Sequence, residues 1–247
     1  MSITTSEQFD KLRACGQIVA KALRAMAAAV RPGITTAELS EIGSRILEEN
    51  GARSSPPMVY GFPGDVCISV NDEVVHGIPG ARVLLPGDLV KLDLTAEKDS
   101  YHTDSAVSIA VPPGDRTAYE LAHCAEKSFR QALPAARAGN RTKDIGRAIE
   151  REVRRRGFHI IPELGGHGVG RTIHESPSVP NYADPEARHL LTEGLVITIE
   201  PLIAATTGNV FLDRDGWTVR TSDGSVSAHY EHTVVITRGA PIILTAV

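Results

Sequence analysis

The apolar positions in the first part of the chain predict two helices followed by three strands. Helical spacing extends from Ser6 to Val30 and ends at a Pro-Gly pair, because proline and glycine terminate helices. A second helix is predicted from Thr35, which forms a capping box with Glu38, as far as Gly51. Short apolar runs, typical of strands, then cover residues 66–70, 89–94 and 105–111.

The same order returns after a Pro-Pro-Gly segment. Helices are predicted over 116–138 and 142–156, and strands over 195–199 and 233–236. A shift of 106 residues superposes identical residues without gaps, such as Gly33 on Gly139 and Thr36 on Thr142. We therefore expect one α+β domain over 1–247, built from half-domains of about 1–112 and 113–247, with a site at their seam.

Composition and charge narrow the class of protein. The chain has 247 residues and a formal net charge of −4, whereas a general nucleic-acid binder would carry a basic excess, so we expect no DNA partner. Three dispersed cysteines provide neither a disulfide framework nor a cysteine-based zinc site. No apolar run reaches the ~20 residues that cross a bilayer, and the first residues do not resemble a secretion signal. These features predict a soluble protein of a reducing compartment, without a membrane partner.

Four acidic residues lie at predicted strands: Asp93, Asp104, Glu200 and Glu231. The eleven-residue spacing from Asp93 to Asp104 suits a β-hairpin with one carboxylate on each arm, Asp104 just before the second strand. A carboxylate buried in such a place is costly unless it is paired or binds a cation. The alternative is that each acid faces water at a strand end, as most carboxylates do.

Three histidines accompany these acids. His167 lies in the glycine-rich segment 165–170, which we predict to be a loop that lets an imidazole approach a ligand closely. His174 follows it, and His76 has the comparable place in the first half, since both begin a His-x-x-Pro sequence. A single loop histidine is usually an ordinary surface residue, but repeat-related histidines upstream of repeat-related acids predict a shared site.

Carboxylates with one or two imidazoles suit Mn²⁺, Fe²⁺, Co²⁺ or catalytic Zn²⁺. Four carboxylates exceed the needs of one ion but suit two ions ~3.5–4 Å apart, which share a water and lower its pKa. Histidines outside the ligand set can then stabilise a developing oxyanion or donate to a leaving group. The residue types therefore predict metal-assisted hydrolysis of an amide or ester.

Five segments resemble type I methionine aminopeptidases and, more broadly, the pita-bread metallopeptidases. They are VNDEVVHGIP at 71–80, GDLVKLDLTAEKDSYHTD at 87–104, GGHGVGRTIHESPSVPNY at 165–182, ITIEP at 197–201 and SAHYEHTVVIT at 227–237. The resemblance extends over about residues 6–240 and implies a pita-bread fold, in which helices cover an antiparallel sheet. It also implies a cytoplasmic, monomeric enzyme that removes the initiator methionine from nascent polypeptides when the second residue is small.

The same resemblance implies a role for each site residue. The metal ligands would be Asp93, Asp104, His167, Glu200 and Glu231. Asp104 and Glu231 would bridge both ions, Asp93 would complete one ion, and His167 and Glu200 would complete the other. Glu200 would also take the proton of the bridging water as that water attacks the scissile amide.

Outside the metal ligands, His174 resembles the residue that stabilises the tetrahedral intermediate, and His76 the one that contacts the scissile amide. The methionine pocket would be formed by Tyr60, Phe62, Cys67 and Trp217, although Phe62 and Trp217 could equally be ordinary core residues. The chain departs from the common pattern at Val75, at Ile173 and in the spacing of residues 56–60. These departures concern the shape of the pocket and not the metal ligands.

Some alternatives remain open at this point. Arg151, Arg154, Arg155 and Arg156 predict either a contact with ribosomal RNA or a solvated helix end. The function could instead be that of an Xaa-Pro aminopeptidase or prolidase, but these usually carry a large N-terminal domain for which 247 residues leave no room. A non-catalytic pita-bread binding protein would typically have lost metal ligands, and all five are present.

Overall fold

A computed structural model describes residues 1–246, within which the chain forms five α-helices and fifteen β-strands. The helices are α1 (Ser6–Ala29), α2 (Thr36–Glu49), α3 (Ser55–Tyr60), α4 (Arg116–Ala132) and α5 (Thr142–Arg155). The strands are β1 (Arg53–Ser54), β2 (Cys67–Val70), β3 (Glu73–Val75), β4 (Leu89–Lys98), β5 (Tyr101–Ala110), β6 (His159–Ile160), β7 (Gly165–Gly168), β8 (Glu175–Pro180), β9 (Val196–Ile199), β10 (Leu202–Ala204), β11 (Val210–Leu212), β12 (Val219–Thr221), β13 (Ser227–His229), β14 (Glu231–Val235) and β15 (Ile242–Ile243).

The four long helices form where the sequence predicts them. The predicted capping box is confirmed, since the Thr35 side chain accepts from the Glu38 N–H and the Glu38 carboxylate accepts from the Thr35 N–H. Helix α4 ends earlier than the predicted Ala138. The chain tightens there into a 3₁₀ turn that contains Pro134, and proline cannot continue the α-helical hydrogen bonding. Every helix in the described part of the chain is too short or too polar to cross a bilayer.

One nine-stranded antiparallel sheet joins the two halves of the chain, and the predicted α+β class is confirmed. Its strand order is β1-β4-β5-β14-β9-β7-β8, with β2 also paired to β4 and β15 to β14. Helices α1 and α2 share an apolar core with β2 and β4, whereas α4 and α5 pack on the strands of the second half. The halves meet where β14 pairs with β5, Glu231 opposite Ala106.

The predicted hairpin is confirmed as β4 and β5, but Asp104 lies within β5 and not before it. The strands extend to a tight turn at Asp99 and Ser100, whose φ angles are both positive (52° and 65°). A two-residue turn of this kind matches the twist of antiparallel strands, so pairing continues up to it. The longer hairpin places Asp104 in the middle of the sheet.

The predicted loop over 165–170 is wrong for its first four residues, which form β7 between β8 and β9. The glycines serve close strand packing. A Cβ at Gly166 would lie 2.4 Å from the Thr198 carbonyl oxygen, and one at Gly168 would lie 2.3 Å from that of Ser176. Glycine in a strand often marks such a close approach of backbones, and the same composition is also typical of loops.

Equivalent contacts in the two halves support the predicted duplication. Gly33 and Gly139 have φ angles of 90° and 95°, and their N–H groups each donate over 2.9 Å to a leucine carbonyl, that of Leu84 or Leu191. The glycines differ by the predicted 106 residues but the leucines by 107, so the two halves do not align without a gap. The half-domain boundary near residue 112 lies between β5 and α4 and stays a prediction. The predicted domain includes Val247, which lies outside the described residues.

Candidate metal centre

All eleven residues predicted for the site line one cavity of about 420 Å³. They are Tyr60, Phe62, Cys67, His76, Asp93, Asp104, His167, His174, Glu200, Trp217 and Glu231. The cavity is also lined by residues of two three-stranded sheets, β13-β10-β6 and β11-β12-β3, as well as by the large sheet. Chain folding thus brings together residues that are spread over most of the sequence.

Three of the carboxylates project from the same face of neighbouring strands. Strands β4 and β14 flank β5, and Asp93 on β4 and Glu231 on β14 each pair with Ala106 of β5. Asp104 lies two residues before Ala106 on β5 and therefore shares its face, because side chains alternate along a strand. Glu200 follows directly after β9, the neighbour of β14, and is also buried.

This cluster of acids requires positive charge, since Asp104, Glu200 and Glu231 are buried and Asp93 is half-buried. Burial, reinforced by repulsion from neighbouring carboxylates, raises the pKa of Asp93 and of Glu231 well above their usual range. Burial also raises the pKa of Glu200 to about 8, while His167 opposes this shift. In addition, Asp104 Oδ1 and Glu231 Oε1 are buried without a hydrogen-bond partner. Bound cations would satisfy these oxygens and offset the repulsion.

The local contacts of His167 leave one ring nitrogen free to face the acids. Its Nδ1 lies 2.9 Å from the Gly168 carbonyl oxygen, and its Nε2 lies 3.5 Å from Glu200 Oε1. A backbone carbonyl that accepts from Nδ1–H fixes the tautomer in which Nε2 carries the lone pair. This arrangement is typical of a metal-ligating histidine.

His174 lies beside His167 with a different partner. The two ring centroids are 4.2 Å apart, and His174 Nδ1 lies 2.6 Å from the Tyr60 hydroxyl. Burial and the neighbouring His167 lower the pKa of His174 to about 4, so the imidazole is neutral at pH 7. If the Tyr60 hydroxyl donates to Nδ1, the His174 proton is on Nε2, where it can be donated.

His76 enters the cavity from the turn that follows β3. Its φ angle of 57° is left-handed, a conformation that residues other than glycine adopt infrequently and that clusters at functional sites. Burial lowers the pKa of His76, which favours the neutral imidazole. A neutral ring near the carboxylates can donate or accept a hydrogen bond without adding charge.

The cavity contains a histidine that the sequence analysis missed. His229 is 1% exposed, neither of its ring nitrogens has a hydrogen-bond partner, and Nε2 lies 3.5 Å from both Glu200 Oε2 and Glu231 Oε2. Burial lowers its pKa to about 4. The only signal in the sequence was its position two residues before Glu231, although the two residues lie on different strands, β13 and β14.

The side chains form two groups of metal donors. Asp104, His167 and Glu231 offer atoms within 4.8 Å of one another, as do Glu200, His229 and Glu231. Glu231 belongs to both groups. Carboxylate oxygens with imidazole nitrogens suit Mn²⁺, Fe²⁺, Co²⁺ or Zn²⁺ better than Ca²⁺, which is bound by oxygens. The donors and the two unpartnered oxygens therefore fit divalent metal ions.

An apolar wall faces the donors. Phe62 and Trp217 pack edge to face with ring centroids 5.4 Å apart, and Cys67 pairs with Asp93 across β2 and β4. The departures at Val75 and Ile173 also lie in this wall. The arrangement can hold an uncharged side chain beside a polar reaction centre.

The raised carboxyl pKa values give a first prediction: the affinity for Mn²⁺ should increase as the pH rises from 6.5 to 8. The ordinary value for glutamate is 4.5, but folded metal-free protein retains the Glu200 proton up to about pH 8. Mn²⁺ must displace this proton, so binding is weaker at the lower pH. We expect Kd to fall about tenfold per pH unit for each proton released. Calorimetry in two buffers of different ionisation enthalpy counts those protons, and a Kd that does not change with pH would contradict the prediction.

Comparisons with known proteins agree with this geometry. A family described as "Metallopeptidase family M24" matches residues 10–238. Methionine aminopeptidase 2 of Bacillus subtilis is 43% identical over 247 residues, which cover 99% of each chain. The crystal structure of methionine aminopeptidase from Thermotoga maritima superposes with a TM-score of 0.96 at 34% identity, over 100% of both chains. The prolidase from Pyrococcus furiosus gives a TM-score of 0.78 at 25% identity, over 99% of this chain but 65% of that one.

Proposed function

Given that the chain belongs to metallopeptidase family M24, we propose that it is the enzyme that removes the N-terminal methionine from polypeptides whose second residue is small. The observation that carries the proposal is the full-length similarity to methionine aminopeptidases, joined to a buried set of metal donors that faces an apolar wall. Family membership confirms the predicted resemblance and pita-bread fold, and it implies the use of divalent metal.

For the metal we propose two ions of Mn, Fe, Co or Zn, held by Asp93, Asp104, His167, Glu200 and Glu231. Such ions, when bound, act as Lewis acids and lower the pKa of water to near neutrality. The support is that Glu231 belongs to both donor groups and that four carboxylates surround one cavity. Two divalent ions would offset the four negative charges.

The remaining side chains would transfer protons and orient the substrate. Glu200 would accept the proton of the attacking water, which carboxylates commonly do in general base catalysis. Neutral His174 would donate its Nε2 proton to the oxygen that becomes negative when the amide is attacked, and His76 would bind the scissile amide. Burial raises the pKa of Cys67 well above its usual range, so this residue would act as an apolar thiol in the methionine pocket and not as a nucleophile.

Cellular context follows from the proposed reaction. The substrates would be the N-termini of nascent polypeptides in the cytoplasm. A ribosome contact through the arginines of α5 stays a prediction. Arg154 pairs with Glu150, and Arg155 and Arg156 both pair with Glu152, which favours a solvated helix end whose charge is largely offset.

A comparison of peptides tests the proposal. Met-Ala-Ser should be hydrolysed at least ~100-fold faster than Ala-Pro-Ser in kcat/KM, because the apolar wall would bind the methionine side chain in the transition state. Release of free methionine or alanine by metal-loaded protein is the measurement, with Met-Leu-Ser as the control for second-residue size. Preference for Ala-Pro-Ser would support the Xaa-Pro alternative, and hydrolysis of neither peptide would refute the proposal.

A further inference from the structure

The side chain of Lys91 is 1% exposed and has no role in the proposed chemistry. It lies on β4 two residues before Asp93, so the two side chains project from the same face of the large sheet. The Lys91 amine donates to three oxygens, which are Asn71 O at 2.7 Å, Ser227 O at 3.1 Å and Ser227 Oγ at 3.2 Å. None of these acceptors is a carboxylate.

The acceptors connect Lys91 to the two smaller sheets. Ser227 begins β13, in the sheet β13-β10-β6. Asn71 lies in the turn from β2 to β3, which leads into the sheet β11-β12-β3. This turn is itself fixed, because Asn71 has a φ of 58° and its side chain accepts from the Leu89 N–H at 2.9 Å. The Lys91 amine is therefore one of the points where the three sheets are joined, beside direct hydrogen bonds such as that from the Ser227 N–H to Asn71 O.

The walls of the cavity come from the same three sheets. Asp93 belongs to the large sheet, and His229 lies two residues after Ser227 on β13. His76 follows β3 directly, and Trp217 lies in the loop between β11 and β12. The amine thus links the strand that carries Asp93 to the segment that leads to His229 and, through β3 and its partner β12, to the segments of His76 and Trp217.

Stability gives no sufficient reason for a lysine at this position. Removing an amine from water costs several kcal/mol, and an apolar side chain of similar length would avoid that cost. The neighbouring Glu73 offers little compensation, because Arg82 and Arg220 already pair with it. Burial lowers the pKa of Lys91 to about 7, but a neutral amine still has two N–H groups and can donate to two of the three oxygens.

We propose that Lys91 is a positioning residue that fixes the distance between the metal-binding face of the cavity and its substrate-binding wall. The part that concerns substrate rests on the proposed function. The metal donors lie at the large sheet, apart from His229, so the loss of Lys91 should change the opposite wall more than the affinity for metal.

The test compares Lys91→Met with Lys98→Met. Lys98 is on the same strand and also donates to backbone carbonyls, those of Asn50 and Gly51, but it lies outside the cavity lining. Three measurements are made on each variant: Mn²⁺ affinity by calorimetry, acrylamide quenching of Trp217, the only tryptophan of the chain, and KM and kcat on Met-Ala-Ser. The first two require no turnover.

We expect Lys91→Met to bind Mn²⁺ within about threefold of the wild type, to show stronger quenching of Trp217, and to lose ~10- to 100-fold in kcat/KM, mainly through a higher KM. Lys98→Met should match the wild type in all three. Methylammonium should partly restore kcat/KM and Trp217 protection in Lys91→Ala, because it can donate in place of the missing amine. Tetramethylammonium has no N–H donor and should restore neither. Unchanged quenching and KM in folded Lys91→Met would overturn the proposal.

The proposal can still be tested if Lys91→Met does not fold or if the wild type is inactive. If Lys91→Met does not fold, Ser227→Ala removes one acceptor and should change quenching and KM in the same direction but by less, and its equality with the wild type would overturn the proposal. If the wild type does not hydrolyse Met-Ala-Ser, the proposed function fails. In that case Trp217 quenching and Mn²⁺ affinity still decide whether Lys91 fixes the wall.

Discussion

Protein freed of metal should hydrolyse Met-Ala-Ser at less than ~0.1% of the rate of reloaded protein, since a bound divalent ion supplies several kcal/mol of transition-state stabilisation. Without cations, the four clustered carboxylates repel one another, and two of their oxygens are buried without a partner. Mn²⁺, Co²⁺ or Fe²⁺ should restore activity, with about two ions bound per chain at saturation.

The measurement is methionine release by protein that has been dialysed against a chelator, with residual metal determined by elemental analysis. Glu231→Gln should lose metal binding, because Glu231 belongs to both donor groups. Glu193→Gln is the matched control, since Glu193 is exposed and pairs with Arg238. Rapid hydrolysis by protein with less than about 5% of the metal of the reloaded form would refute metal-assisted catalysis.

His174→Ala should lower kcat on Met-Ala-Ser by ~100- to 1,000-fold while metal content stays at the wild-type level. Loss of a single donor to a developing oxyanion has an effect of this size. His174 is outside both groups of metal donors, and its Nδ1 faces the Tyr60 hydroxyl. Steady-state kinetics and elemental analysis on the same preparation measure the two quantities.

Tyr60→Phe tests the same interaction with a smaller change than His174→Ala. It removes the hydroxyl beside Nδ1 but keeps the imidazole, so kcat should fall by only about tenfold or less. A His174→Ala protein that lost its metal would show that His174 is a ligand instead. A His174→Ala protein with wild-type kcat would exclude a role in the reaction.

The sequence predicted the grouping of the four carboxylates because each lies at the end or in the middle of a recognisable strand, whereas the pocket residues came only from the resemblance to a known family. The hairpin of Asp93 and Asp104 followed from spacing alone. The strand at Gly165–Gly168 could not be predicted, because its glycines are required by the close backbones of β8 and β9, and residue types do not show that these strands pack against it. His229 was missed for a related reason. A histidine becomes significant only when its neighbours across the sheets are known.

The role of Lys91 also could not be predicted from the sequence. In the sequence it is a lysine within an apolar strand. Alternation places its side chain on the same face as Asp93 but does not show what it contacts there. Its function as a junction depends on Asn71 and Ser227, and their carbonyl oxygens carry no signal in residue type. Motifs therefore predicted the chemistry of the cavity, whereas its dimensions depend on backbone atoms that any residue could supply.

The place of β14 in the large sheet also has a consequence for folding during synthesis. This strand is formed by Glu231–Val235 and comes later in the sequence than the other strands of the order given above, yet it lies between β5 and β9 in the middle of the sheet. Until it emerges from the ribosome, β5 and β9 present open edges, which are prone to pairing with other chains. Folding must close very long loops before the sheet is continuous, and such contacts form slowly. The cavity therefore cannot be complete until Glu231–Val235 has been synthesised, after the strands that carry the other metal donors.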